Sequence, residues 1–127
     1  MSNGREVLDA SALLAWLQDE PGAAEVTLED AVINSVNWSE VLQKAQQKGV
    51  AVTGLQEELA ALGLELRSFS VAEGQKAAEL YPLTKTYGLS LGDRACLATA
   101  SMLLGTAVTA ENVWTKAEHG VPARVIR

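Results

Sequence analysis

Short apolar runs alternate with segments of helical period along this chain, and few architectures accept that alternation. Residues 5–8 read as a strand ending at Asp9, and 11–18 as a helix with Ala12, Leu13, Trp16 and Leu17 on one side. The Asp19-Glu20-Pro21-Gly22 turn stops that helix, and a short helix is expected over 23–29. Residues 31–35 form a second strand. Trp38, Val41, Leu42 and Ala45 then mark the apolar face of a helix that reaches Lys48 and is punctuated by Gly49. Another helix covers 54–62 and closes at Gly63. A third strand spans 64–69, a helix 71–80, an irregular or briefly helical stretch 82–88, and a long helix 91–104. A fourth strand at 106–109 and a weaker fifth at 123–126 finish the pattern. The expectation is one three-layer α/β/α domain over 1–127, with a central, mainly parallel sheet of four to five strands covered on both faces.

Charge sets the next limit. The chain has 127 residues, 48% of them hydrophobic, and carries a net charge of −6, which argues against nucleic-acid binding through a broad basic face. A nucleic-acid substrate would need something other than side-chain charge to offset the repulsion. Charged residues make up 20%, which is lean and suits a surface partly covered by partner contact. The single Cys96 lies in an apolar run and reads as a small buried hydrophobe. No signal peptide is evident, and no apolar stretch approaches the ~20 residues that cross a bilayer, so a soluble cytoplasmic chain is expected.

In a parallel sheet of this kind the functional crevice lies beyond the carboxyl ends of the strands. Asp9 ends the first strand there and Glu111 follows the fourth. Glu40 opens a helix directly after the second strand, and right-handed crossovers put that helix start on the same edge. Asp93 also stands in a first helical turn, although its helix follows another helical segment. A plainer reading competes. Asn37-x-x-Glu40 and Ser90-x-x-Asp93 match capping boxes, as do Thr53-x-x-Gln56 and Ser70-x-x-Glu73, to which no chemistry is assigned. Spacing alone favours caps for Glu40 and Asp93. Asp9 has no cap-box partner, with an Asx-type bond to the backbone as its structural alternative. The helix after Arg94 is uncharged to Leu104 and so reads as buried, its charges confined to the crevice end, which favours a functional Asp93.

Carboxylates gathered at one edge repel, and either a held proton or a bound cation relieves them. With oxygen donors only, the cation is expected to be Mg²⁺ or Mn²⁺. Such an ion would also bridge an acidic protein to an anionic phosphodiester. His119 reads as a surface residue, and Arg94 and Lys116 as solvated charges that could reach a phosphate.

Four segments carry a resemblance: Val7-Leu8-Asp9-Ala10-Ser11-Ala12-Leu13-Leu14, Val36-Asn37-Trp38-Ser39-Glu40-Val41, Leu89-Ser90-Leu91-Gly92-Asp93-Arg94-Ala95-Cys96-Leu97-Ala98 and Val108-Thr109-Ala110-Glu111. In order and interval they resemble the four acidic motifs of PIN-domain proteins, and most of all those of VapC-type toxins from bacterial toxin–antitoxin pairs. The resemblance implies an Mg²⁺- or Mn²⁺-dependent endoribonuclease with metal-site acids at Asp9, Glu40 and Asp93 and an assisting hydroxyl at Ser11. It also implies an RNA substrate, a cognate antitoxin and a homodimer. The fourth motif departs: where the family usually has Thr-Ala-Asp, this chain has Thr109-Ala110-Glu111, whose acid is one methylene longer. Glu111 is taken as the fourth metal and catalytic acid. A catalytically weak or inactive PIN domain acting as a binding module is the alternative. A receiver-like phosphoacceptor at Asp9 would need paired acids before it and a late strand-end Lys, which Arg5-Glu6 and Thr109-Ala110 do not supply. An Asp-x-Asp phosphatase fails at Asp9-Ala10-Ser11.

Overall fold

The computed structural model describes residues 4–127. Its elements, in chain order, are β1 (Glu6–Leu8), α1 (Ala10–Leu17), β2 (Val32–Asn34), α2 (Ser35–Gln47), α3 (Leu55–Ala61), β3 (Glu65–Arg67), α4 (Val71–Glu79), α5 (Tyr81–Thr84), α6 (Leu91–Met102), β4 (Thr106–Thr109) and β5 (Ala123–Val125). The strands form one sheet in the order β3-β2-β1-β4-β5, with every neighbouring pair parallel.

Both faces of the sheet are buried, which explains why its strands read as continuous apolar runs. Val7, Val32 and Ala107 stand in register across β1, β2 and β4 and pack with Cys96, Leu97 and Ala100 of α6, together with Leu80 and Trp114. The next residues, Leu8, Ile33 and Val108, point the other way, against Leu13 of α1 and Val41 of α2. Helix α6 is buried from Ala95 through Ala100, as its uncharged sequence predicts. Among the described residues no helix is long and apolar enough to cross a membrane.

Two segments differ from expectation. Residues 23–29 hold only a 3₁₀ turn, Ala23–Glu25, after which Val26 and Leu28 both enter the core. That two-residue spacing suits extended chain, not helix. Residues 82–88 are ordered as α5 and a 3₁₀ turn at Lys85–Tyr87, with Pro82 in the first turn of α5, where its missing N–H costs nothing.

The strand order reverses around β1, since the chain runs outward from it to β2 and β3 and later returns on its other side as β4 and β5. A crevice therefore opens beyond the carboxyl ends of β1 and β4. Helix α6 turns through Leu103–Gly105 directly into β4, so it runs antiparallel to that strand and its N-terminus comes to the same edge. This places Asp93 there without a preceding strand.

Candidate active site

Asp9 follows β1 immediately, its N–H bonded to the Val108 carbonyl of β4 at 3.0 Å. Its side chain caps α1: one carboxylate oxygen accepts the Ala12 N–H at 2.8 Å, the Asx-type bond the sequence left open. Ser11 Oγ donates to both carboxylate oxygens, at 2.8 and 2.9 Å, and Thr109 Oγ1 donates to Oδ2 at 2.8 Å. Ser11 Oγ also accepts from Ala110 N–H at 2.9 Å, and Thr109 Oγ1 from Glu111 N–H at 3.0 Å. These two hydroxyls tie the end of β1 to the loop that carries Glu111. Asp9 is 4% exposed, and burial pushes its carboxyl up to about 7. The bonds from Ala12, Thr109 and Ser11 oppose that rise, and the charge of Asp93 adds to it.

Glu40 is not in a capping box. The cap of α2 is Asn34, whose Oδ1 accepts the Asn37 N–H at 2.7 Å, so the helix begins a turn earlier than Asn37-x-x-Glu40 predicts. Asn37 lies inside the first turn. Its amide nitrogen donates to Glu40 Oε1 at 2.9 Å and to the Gly92 carbonyl of α6 at 3.0 Å. The Glu40 carboxylate sits over Gly92, where a Cβ would come within 2.6 Å of Oε2. Gly92→Ala therefore displaces the carboxylate at the end of a flexible chain, while Ala improves helix propensity by up to about 1 kcal/mol. We expect a melting temperature at or above wild type with Mg²⁺ affinity at least roughly tenfold weaker, about 1.4 kcal/mol. Unchanged affinity would show that the position of Glu40 over Gly92 is incidental.

Asp93 is both cap and cleft residue. The Ser90 capping box is complete: Asp93 Oδ2 accepts Ser90 N–H at 2.9 Å, and Asp93 N–H donates to Ser90 Oγ at 3.1 Å. The box occupies one carboxylate oxygen and leaves the other, so cap and ligand are not exclusive readings. The Thr53 box does not form, because Gly54 caps α3 without a side-chain bond.

Asp9, Glu40, Asp93 and Glu111 all line one cleft of about 470 Å³, with Ser11 in its wall. The donor set is oxygen only. Among the described residues, no three His, Cys, Asp or Glu side chains come together as a ready-made cage. Mg²⁺ keeps several waters and takes only one or two carboxylates directly, so this oxygen-only donor chemistry fits it without a closed cage. The cations at the cleft are Lys44, Lys48 and Arg127, not Arg94 or Lys116. Arg94 instead donates to the Ala77 carbonyl at 2.9 Å and stacks 5.1 Å from the Tyr81 ring centroid. The four-residue step Glu40, Lys44, Lys48 along one helix face was the sequence signal for the lysines. His119 is buried, not superficial: Nδ1 accepts from Val121 N–H at 3.1 Å, which leaves Nε2 to donate to the Trp114 carbonyl at 2.9 Å.

Similar folds are known. The FitAcB structure from Neisseria gonorrhoeae is 18% identical, with 93% of this chain and 95% of that one covered, at a TM-score of 0.69. A toxin–antitoxin complex from Klebsiella pneumoniae is 19% identical over 96% and 98% of the two chains, at 0.70. VapBC2 from Rickettsia felis, bound to a fragment of its promoter DNA, is 18% identical over 94% and 97%, at 0.67. No curated protein matches the sequence. The PIN domain family matches residues 7–119, a span that holds β4, all of β1 but Glu6, and all four acids between its limits, and the chain belongs to that family.

Proposed function

We propose that this protein is a metal-dependent endoribonuclease and the toxin of a toxin–antitoxin pair. The observation that carries the reading is the convergence of Asp9, Glu40, Asp93 and Glu111 on one oxygen-lined cleft at the point where strand order reverses. Asp9 and Asp93, with Glu40 beside them, would hold Mg²⁺ or Mn²⁺, and Glu111 would reach it from the β4 side. When bound, the ion supplies Lewis-acid chemistry at the phosphoryl oxygen and lowers the pKa of water. The chain's own residues supply the geometry. Ser11 and Thr109 fix the Asp9 carboxylate, Asn37 and Gly92 fix that of Glu40, and Ser90 fixes that of Asp93. An Asp9 carboxyl near 7 would release its proton as a cation enters.

The toxin–antitoxin likenesses support an antitoxin partner. Exposed Tyr81, Leu83 and Leu91 on α5 and at the start of α6 support pairing with a second copy. A cytoplasmic location, where a cellular RNA would be met, goes with this reading. A second reading, an inactive PIN domain that binds without cutting, draws on the exposed Glu111 and on the lack of a ready-made cage. One assay separates the two. The purified protein should cleave structured RNA in Mg²⁺ or Mn²⁺ to leave 5′-phosphates, and should lose that activity in EDTA. Cleavage untouched by chelation, or binding with no cleavage under any divalent ion, goes against the nuclease reading.

A further inference from the structure

A chain of net charge −6 that is to hold RNA needs cationic side chains besides the proposed metal site, which would meet only the phosphate at the reaction centre. Lys44 in the last turn of α2 and Lys48 at its C-cap follow Glu40 at four-residue intervals, which brings all three toward one helix face, and all three line the acid cleft. Each interval advances about 6 Å along the helix, a step on the scale of one nucleotide of extended strand. Lys44 has no ion pair or hydrogen bond among the described residues, and Lys48 gives one bond, 3.2 Å to Gln18 Oε1. The third cation at the cleft is committed elsewhere. Arg127 binds the Pro21 carbonyl at 2.8 Å and Glu20 at 3.2 Å.

We propose that Lys44 and Lys48 form a track for the sugar–phosphate backbone of single-stranded RNA, leading from the metal site along α2. The proposal rests on the nuclease reading for its choice of RNA. An acidic protein segment fits less well, because it would meet Glu40 and Glu111 unaided, whereas a phosphodiester would share the cation those acids are proposed to hold. Lysine is a mobile point charge without the fixed fork of arginine, so the track reads backbone and not sequence. Base selectivity must then come from other parts of the cleft.

Anisotropy of a labelled single-stranded RNA oligonucleotide, with Ca²⁺ in place of Mg²⁺, tests the track. The K44Q/K48Q variant should bind at least roughly tenfold more weakly, and its log affinity should fall less steeply with log salt by about 1.4, near 0.7 per lost phosphate contact. K44R/K48R should bind as wild type does, as should K116Q, whose lysine lies outside the cleft. Both lysines are exposed, so the melting curves should coincide and exclude misfolding as the cause. Equal affinity and salt slope in K44Q/K48Q, or no binding by wild type, overturns the track. RNA cleavage in Mg²⁺ is scored separately. Binding lost in K44Q/K48Q with no cleavage by wild type keeps the track and removes the nuclease reading; cleavage with binding unchanged does the reverse.

Discussion

Asp9→Asn should lower RNA cleavage by at least about 10²-fold, the scale of losing one preorganised electrostatic contact, while leaving the protein as stable as wild type or more so. Asn caps helices as well as Asp does, so the bond to Ala12 N–H survives. What disappears is the charge. The buried carboxyl sits near 7 in the fold, against 3.8 as its ordinary value. The folded state therefore binds the proton more tightly than the unfolded chain, and metal-free stability falls as pH rises from about 4 to about 7. A displacement of that size corresponds to roughly 4 kcal/mol. Asp9→Asn should flatten this part of the profile, and in EDTA at pH 8 it should melt above wild type. Added Mg²⁺ should raise wild type and leave the variant nearly unmoved. A variant that cuts RNA at the wild-type rate would reduce Asp9 to a helix cap.

The second large effect lies away from the cleft. Glu73→Ala should destabilise the protein by roughly 3 kcal/mol in urea unfolding, from a lost capping box and a broken buried network. Glu73 is 0% exposed. Its Oε2 accepts Ser70 N–H at 2.9 Å, and Oε1 accepts Thr99 Oγ1 at 2.7 Å, with Arg67 at 3.5 Å. Thr99 in turn accepts from the Asn34 amide at 2.9 Å, and Asn34 caps α2. Burial pushes the Glu73 carboxyl up, but the bonds from Ser70 and Thr99 and the Arg67 charge outweigh it and hold the group below its ordinary range. Its contribution is present above the unfolded value of 4.5 and is lost as pH falls through the lower folded value. Asp9 penalises the opposite side, so these two groups place the stability maximum of the metal-free protein in mildly acid solution. A Glu73→Ala loss under about 0.5 kcal/mol, the range of ordinary surface changes, would remove the network argument.

Glu73 also shows where sequence reading stops. Ser70-x-x-Glu73 announced the capping box, and the box is present. Nothing local announced that the same carboxylate is buried against Thr99, because that bond spans 26 residues and depends on how α4 lies on α6. The sheet was more legible. Val7 beside Leu8 and Ile33 beside Val32 are apolar on both sides of the pleat, which only a sheet covered on both faces accommodates. Asp9 and Glu111 follow strand ends, so topology alone carried them to the crevice. The start of α2 misled because β2 passes into it without a loop, and Asn34 serves as both last strand residue and cap. The roles of Gly92 and Asn37 rest on the approach of α2 to α6, a distance no periodicity encodes.

In the reading proposed above, four acids separated in sequence act as one cation site. Calorimetric titration of Mn²⁺ into the purified protein near pH 7 tests it most directly, with Asp9→Asn, Glu40→Gln, Asp93→Asn and Glu111→Gln run beside wild type. Wild type should bind saturably with release of a fraction of a proton from Asp9, and the Asp9 and Asp93 variants should bind at least roughly tenfold more weakly, each about 1.4 kcal/mol. Binding of equal strength in all five proteins, with no proton released, would contradict it.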